Sequence, residues 1–184
     1  MNMEKKNSRE FMDGEVASRE IFDGERMRGV VMRDGICIDS SFEGVDFRYA
    51  DLRGTDFTTA NLKKVDFSFA DLRNCKFVMA NLSDVHFEGA NISSAVFVGA
   101  KLLGASFIKV NARDTDFSRS DLTNAGFYVS DLDRAEFVGA DLTQAEFRGI
   151  DVRNVDFTGI NYSRVHFREC IMTREQRRFY AKSW

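Results

Sequence analysis

The sequence has no long apolar run, so no transmembrane helix is expected, and its opening MNMEKKNSREFMDGE lacks the hydrophobic stretch of a secretory signal. The expectation is a soluble, cytoplasmic protein of one domain. Cysteine is scarce: the three residues form no CxxC pair, which leaves no disulfide framework and no zinc-site spacing. There are two histidines, and neither is placed to activate a cysteine. No glycine-rich phosphate loop, nucleophile motif or isolated acid–base pair of carboxylates occurs. These absences point away from an enzyme and imply no cofactor and no metal.

What the chain does contain is a period of five. Residues 50–69 read ADLRG, TDFTT, ANLKK, VDFSF. Five residues rotate an α-helix by roughly 500°, so the large residues would wander around it instead of forming a stripe. In a straight strand the odd spacing throws Leu52 and Phe57 to opposite sides. A chain that bends the same way after every unit brings them all to one axis and stacks coil upon coil. Phe stands at position 47 and at every tenth residue through Phe167, thirteen in succession, with Phe42 in phase. Leu52, Leu62, Leu72, Leu82, Ile92 and their successors to Tyr162 fill the alternate units. Two residues before each stands a small one, such as Ala50, Ala60 or Cys75. Where Ala112 and Val152 depart from Leu, Val110 and Ile150 restore the lost volume. Cys75 and Cys170 occupy small inward positions nearly five coils apart, too far for a bridge, and stand in for Ala. Asp or Asn precedes the large residue in sixteen of twenty-four units from Asp46 to Asn161, and these side chains bond the backbone readily at turns.

This pattern, A(D/N)Lxx with its Phe variant, closely resembles the pentapeptide-repeat family from about residue 40 to 172. Phe22, Met27, Met32 and Cys37 carry the phase back to about residue 20. The resemblance implies an all-β fold, a right-handed quadrilateral parallel β-helix with four units per coil. At roughly 4.8 Å per coil its length is on the order of 37 Å. The expected organisation is an N-terminal segment or cap over 1–19, the β-helix over 20–172, and a helical cap over 173–184.

With four sides, units twenty residues apart share a face. One face carries Asp51, Asp71, Asp131 and Asp151 beside Arg53, Arg73, Arg113, Arg134 and Arg153, a self-compensating ladder. The next exposes Thr58, Val78, Met79, Val96, Val98 and Val138, rimmed by Asp56, Asp116, Glu136 and Asp156, with Lys76 and Arg119 opposing. It is the candidate partner-binding face; strand propensity alone also suits its β-branched residues. His86 and His166 lie four coils apart on another face, too far to share a metal. Charge is uneven along the axis. From Asp114 to Asp156 ten acidic residues oppose four basic ones, whereas residues 157–184 carry six basic and two acidic. The tail MTREQRRFYAKSW reads as a short helix, with Thr173 as its cap and Gln176 completing a capping box. Phe179, Tyr180 and Trp184 then cover the open end of the coil, or pair it with a second copy as a homodimer.

Loopless repeat proteins of this length are similar to the quinolone-resistance group, which bind DNA gyrase or topoisomerase IV as dimeric mimics of duplex DNA. The resemblance therefore implies a non-enzymatic protein-binding solenoid with gyrase as partner. DNA carries one charge per roughly 1.7 Å, and the chain nets −3, so mimicry is confined to the acidic band. The alternative is a scaffold or effector that binds another protein or a membrane-associated target without mimicry. Direct nucleic-acid binding is disfavoured, because no basic stripe is present.

Overall fold

The computed structural model describes residues 13–182. The five-residue units wind into a right-handed quadrilateral parallel β-helix. Parallel pairing steps by twenty residues from Val16–Ile36 to Asp151–Ile171, so four units make one coil. We number the faces in chain order: the first holds Leu52 and Leu72, the second Phe57 and Phe77, the third Leu62 and Leu82, the fourth Phe67 and Phe87. Each unit joins its neighbouring coils by three kinds of backbone bond, as in Asp71 N to Ala50 O, Leu52 N to Asp71 O and Gly54 N to Arg73 O, all 2.9 Å. Between faces the chain turns over four residues, closed for example by Ala60 N on Phe57 O at 3.0 Å. The third residue of the turn takes positive φ, as at Thr59 (59°) and Gly54 (72°). The preceding Asp or Asn braces the turn: Asp56 Oδ1 accepts the Thr58 N–H at 3.0 Å.

Pairing is reduced to one residue per unit over most of the rod. It lengthens on the fourth face to β1 (Ser106–Ile108), β2 (Gly126–Tyr128), β3 (Glu146–Arg148) and β4 (His166–Arg168), parallel and in register. After β1 a side chain supplants the turn bond. Val110 N donates to Ser130 Oγ at 3.0 Å, and Ser130 Oγ donates to Phe107 O at 3.0 Å.

The axis is filled as the period requires. Twelve phenylalanines from Phe42 to Phe147 are fully buried. Those of the second and fourth faces form two columns, stacked along the rod (Phe107 on Phe127, 4.4 Å, 1°) and edge to face across it (Phe107 to Phe117, 5.6 Å, 85°). Hydroxyls and thiols at small inward sites donate to carbonyls of the preceding coil, as Thr55 Oγ1 does to Met32 O (2.7 Å) and Cys75 Sγ to Leu52 O (2.9 Å). Burial pushes the Cys37 thiol up to about 12 and raises Cys75 further. Cys170, in the last coil, is only half-buried.

Both ends of the described coil depart from the regular unit. The coil is already formed at Asp13, with Gly14 at φ 74° and Ala17 buried, upstream of residue 20. Val16 and Ala17 match neither Asp/Asn nor Leu/Phe, so the phase is hidden there; residues 1–12 lie outside the described chain. At the other end, Tyr162–Arg164 form a 3-10 turn in place of a regular unit, and the helix α1 spans Arg174–Lys182. Its capping box is complete: Thr173 N donates to Gln176 Oε1 (2.9 Å) and Gln176 N to Thr173 Oγ1 (3.1 Å). The Gln176 amide also donates to Val152 O at 2.7 Å, tying α1 to the coil.

Two outcomes follow. Phe107→Ala should cost about 3–5 kcal/mol in chemical unfolding through the cavity it leaves, and a loss below about 1 kcal/mol would contradict the stacked axis. Gln176→Ala should cost about 0.5–2 kcal/mol and speed amide exchange in the last coil; unaltered exchange there would show that α1 is not held by this side chain.

Candidate functional site

Ile36, Asp56, Lys76, Val96, Asp116, Glu136 and Asp156 pair in one unbroken series, each one coil beyond the last. Asp56, Asp116, Glu136, Asp156, Val78, Val98 and Val138 therefore share the second face. Within it the carboxylates divide. Asp56 lies 3.6 Å from Lys76 Nζ and is compensated. Among the described residues, no cationic group reaches ion-pair distance of Asp116, Glu136 or Asp156. Asp116 and Asp156 each receive a backbone N–H through Oδ1, from Ser118 and Thr158, at 2.8 Å. The turn thus fixes the carboxylate while leaving its charge without a counter-ion among the described residues.

The first face shows the opposite arrangement. Arg33 Nε and Arg53 Nε reach Asp51 at 2.7 and 2.8 Å, Arg73 reaches Asp71 at 2.7 Å, and Arg153 reaches Asp151 at 2.6 Å. The Arg53 bond, with Arg33 beside it, holds the Asp51 carboxyl well below the usual carboxylate range. Charges on this face cancel. On the second face, from Asp116 to Asp156, they add.

The apolar strip is less exposed than the sequence reading expects. Val78, Val98 and Val138 are half-buried, because one coil spacing is shorter than the width of two side chains and neighbours shield one another. Met79 remains 63% exposed. Sequence reasoning also missed two groupings. Asp121 and Asp141 pair on the third face, accepting from Thr123 N and Thr143 N at 3.0 Å. They extend the acidic surface past the corner formed by Arg119, Gly139 and Gly159. At another corner Tyr49 stacks on Phe69 at 5.1 Å, both with φ near 60°. Arg28 closes one end of this stack at 4.7 Å from the Tyr49 ring, and the far side of Phe69 presses on Gly89. Reading the pairing and turn positions at steps of twenty would have found both.

Of the dimer candidates, Phe179 and Tyr180 lie on α1. Tyr180 meets Phe167 edge-on at 5.4 Å and Phe179 stacks on Tyr162 at 6.1 Å, yet Phe179 stays 52% exposed. Trp184 lies outside the described residues. Beside Phe179 a cleft of about 640 Å3 opens between α1 and the end of the second face. Among the described residues no group of three or more His, Cys, Asp or Glu side chains could hold a metal ion, and no helix is long and apolar enough to cross a membrane.

Comparisons with known proteins agree with the geometry. Two solved structures of QnrB1, a plasmid-mediated fluoroquinolone resistance protein, both trypsin-treated variants, superpose with TM-scores of 0.58 and 0.52. They are 19% and 18% identical and match 92% and 91% of this chain and 95% of theirs. At that identity the likeness concerns the fold. HetL, a pentapeptide-repeat protein from the cyanobacterium Nostoc, is 17% identical over 88% of this chain and 89% of its own, with a TM-score of 0.35. No curated protein matches in sequence. The model of pentapeptide repeats matches in eight copies over residues 40–77, 80–119, 100–135 and 120–159. With a five-residue period, a twenty-residue coil and this match over more than half its length, the chain belongs to the pentapeptide-repeat family.

Proposed function

We propose that this chain is a non-enzymatic, cytoplasmic protein-binding solenoid that mimics duplex DNA towards DNA gyrase or topoisomerase IV. The observation that carries the reading is the stack of Asp116, Glu136 and Asp156, three carboxylates on successive coils with no cation in reach among the described residues. Their spacing of about 4.8 Å compares with about 3.4 Å per phosphate along one DNA strand. A stack of like charges costs stability through repulsion, and on the first face arginines relieve that cost. Its persistence on the second face suits a surface that a cationic partner neutralises. The choice of gyrase or topoisomerase IV rests on resemblance to the quinolone-resistance group, with QnrB1 as the fold relative. The second reading, a scaffold or effector for another protein or a membrane-associated target, draws on the half-buried Val78 and Val98 beside exposed Met79.

The carboxylates are tested together. Replacing Asp116 and Asp156 by Asn and Glu136 by Gln should weaken gyrase inhibition or protection in a supercoiling assay by about tenfold or more, with the fold intact, and added salt should weaken the wild type likewise. Full effect from the triple variant would overturn the acidic column. No effect of the wild type at micromolar concentration would favour the scaffold.

Homodimerisation through the C-terminal end belongs to the same proposal, with Phe179, Tyr180 and Trp184 as contacts and the half-exposed Phe179 as its support. Deleting residues 173–184 should give monomer or aggregate in sedimentation. A dimer of unchanged stoichiometry would move the interface elsewhere, and a monomeric full chain would remove it.

A further inference from the structure

The cleft beside α1 has a composition unlike the rest of the surface. Its aromatic wall is Phe157, Tyr162 and Phe179, with Phe157 nearly buried, Tyr162 edge-on to it at 6.3 Å and Phe179 stacked on Tyr162 at 19°. Two carboxylates, Asp156 and Glu175, line it, one from the second face and one from the first turn of α1. Burial, and then these two carboxylates, raise the Tyr162 phenol above its ordinary value, and all three line the same cleft. The basic residue in the lining, Arg153, is engaged by Asp151 at 2.6 and 2.9 Å. Gln176 is engaged as well, by Thr173 and Val152. What remains for a ligand is negative charge against aromatic surface, in a volume suited to a side chain or small molecule.

We propose that this cleft binds an arginine side chain of a protein partner, its guanidinium lying against Tyr162 and Phe179 and held by Asp156 and Glu175. A guanidinium fits better than an ammonium, because its plane can lie on an aromatic ring while its edge forks to carboxylates. The source is a protein side chain because Asp156 is at once a wall of the cleft and the last member of the carboxylate column, so a chain lying along the second face ends at the cleft. The proposal rests on the protein-binding reading and is independent of which protein the partner is; because Phe179 is also the homodimer contact proposed above, the arginine and a second copy compete for this end of the coil.

The probe is a blocked Gly-Arg-Gly tripeptide titrated into the full chain by calorimetry, with amide shifts followed in parallel, at a concentration where sedimentation shows one species. The expected result is saturable binding below about 10 mM, with shifts at Tyr162 and Phe179, weakened about tenfold or more when citrulline replaces arginine. Glu175→Gln should weaken it about tenfold, and Phe179→Leu, which keeps an apolar wall, about fivefold. Glu175 lies outside the carboxylate column, so its loss leaves the gyrase assay as a separate question. Equal binding of the citrulline peptide, binding unaffected by Glu175→Gln, or no shifts at the cleft would overturn the proposal. Ethylguanidine binding as tightly as the tripeptide would overturn the protein side chain as its source.

Discussion

Twenty residues return the chain to the same face one strand spacing further along, and the backbone bonds between coils fix which side chains meet. Nearly every other property is a consequence of that return. An inward phenylalanine lies on the phenylalanine twenty residues away, so a planar ring at one site favours a planar ring at the next. The two phenylalanine columns meet edge to face across an axis too narrow for two rings lying flat together, and the leucine faces complete the filling.

The same return governs the exterior, where it is a hazard, because like charges are stacked as faithfully as rings. The first face answers with arginines that fork onto aspartates of their own and neighbouring coils. At the Tyr49 corner a cation caps an aromatic stack whose far side rests on glycine, where no side chain competes for the space. Between Asp116 and Asp156 the second face has no such answer among the described residues. On the third face Asp121 and Asp141 also stack, but between Lys101 one coil before and Arg164, so the acidic surface that turns the corner at Gly139 and Gly159 is partly compensated there.

Much of this was legible because each inward site is written many times. The axis and the Thr173–Gln176 box could be read from spacing alone, since the period of five determines which side chain points inward; the assignment of faces needed four units per coil as well, which the resemblance to the pentapeptide-repeat family implied. What escaped had no repetition to reveal it. Val16 and Ala17 form a coil on backbone pairing with neither Asp nor Leu, so the coil at this end of the described residues was hidden. The half-burial of Val78 and Val98 depends on neighbours in other coils. The cleft depends on where α1 settles and on Tyr162 leaving the regular unit for a 3-10 turn, neither of which a five-residue pattern encodes.

The central claim is that the uncompensated column on the second face is the surface a partner covers. Carboxyl footprinting, in which a carbodiimide couples an amine to accessible carboxylates and mass spectrometry locates the label, reads this directly. With saturating gyrase, labelling of Asp116, Glu136 and Asp156 should fall while that of Asp51 and Asp71 on the first face stays as in the free protein. Protection of the first face instead, or unchanged labelling of the three column carboxylates in the complex, would contradict the account.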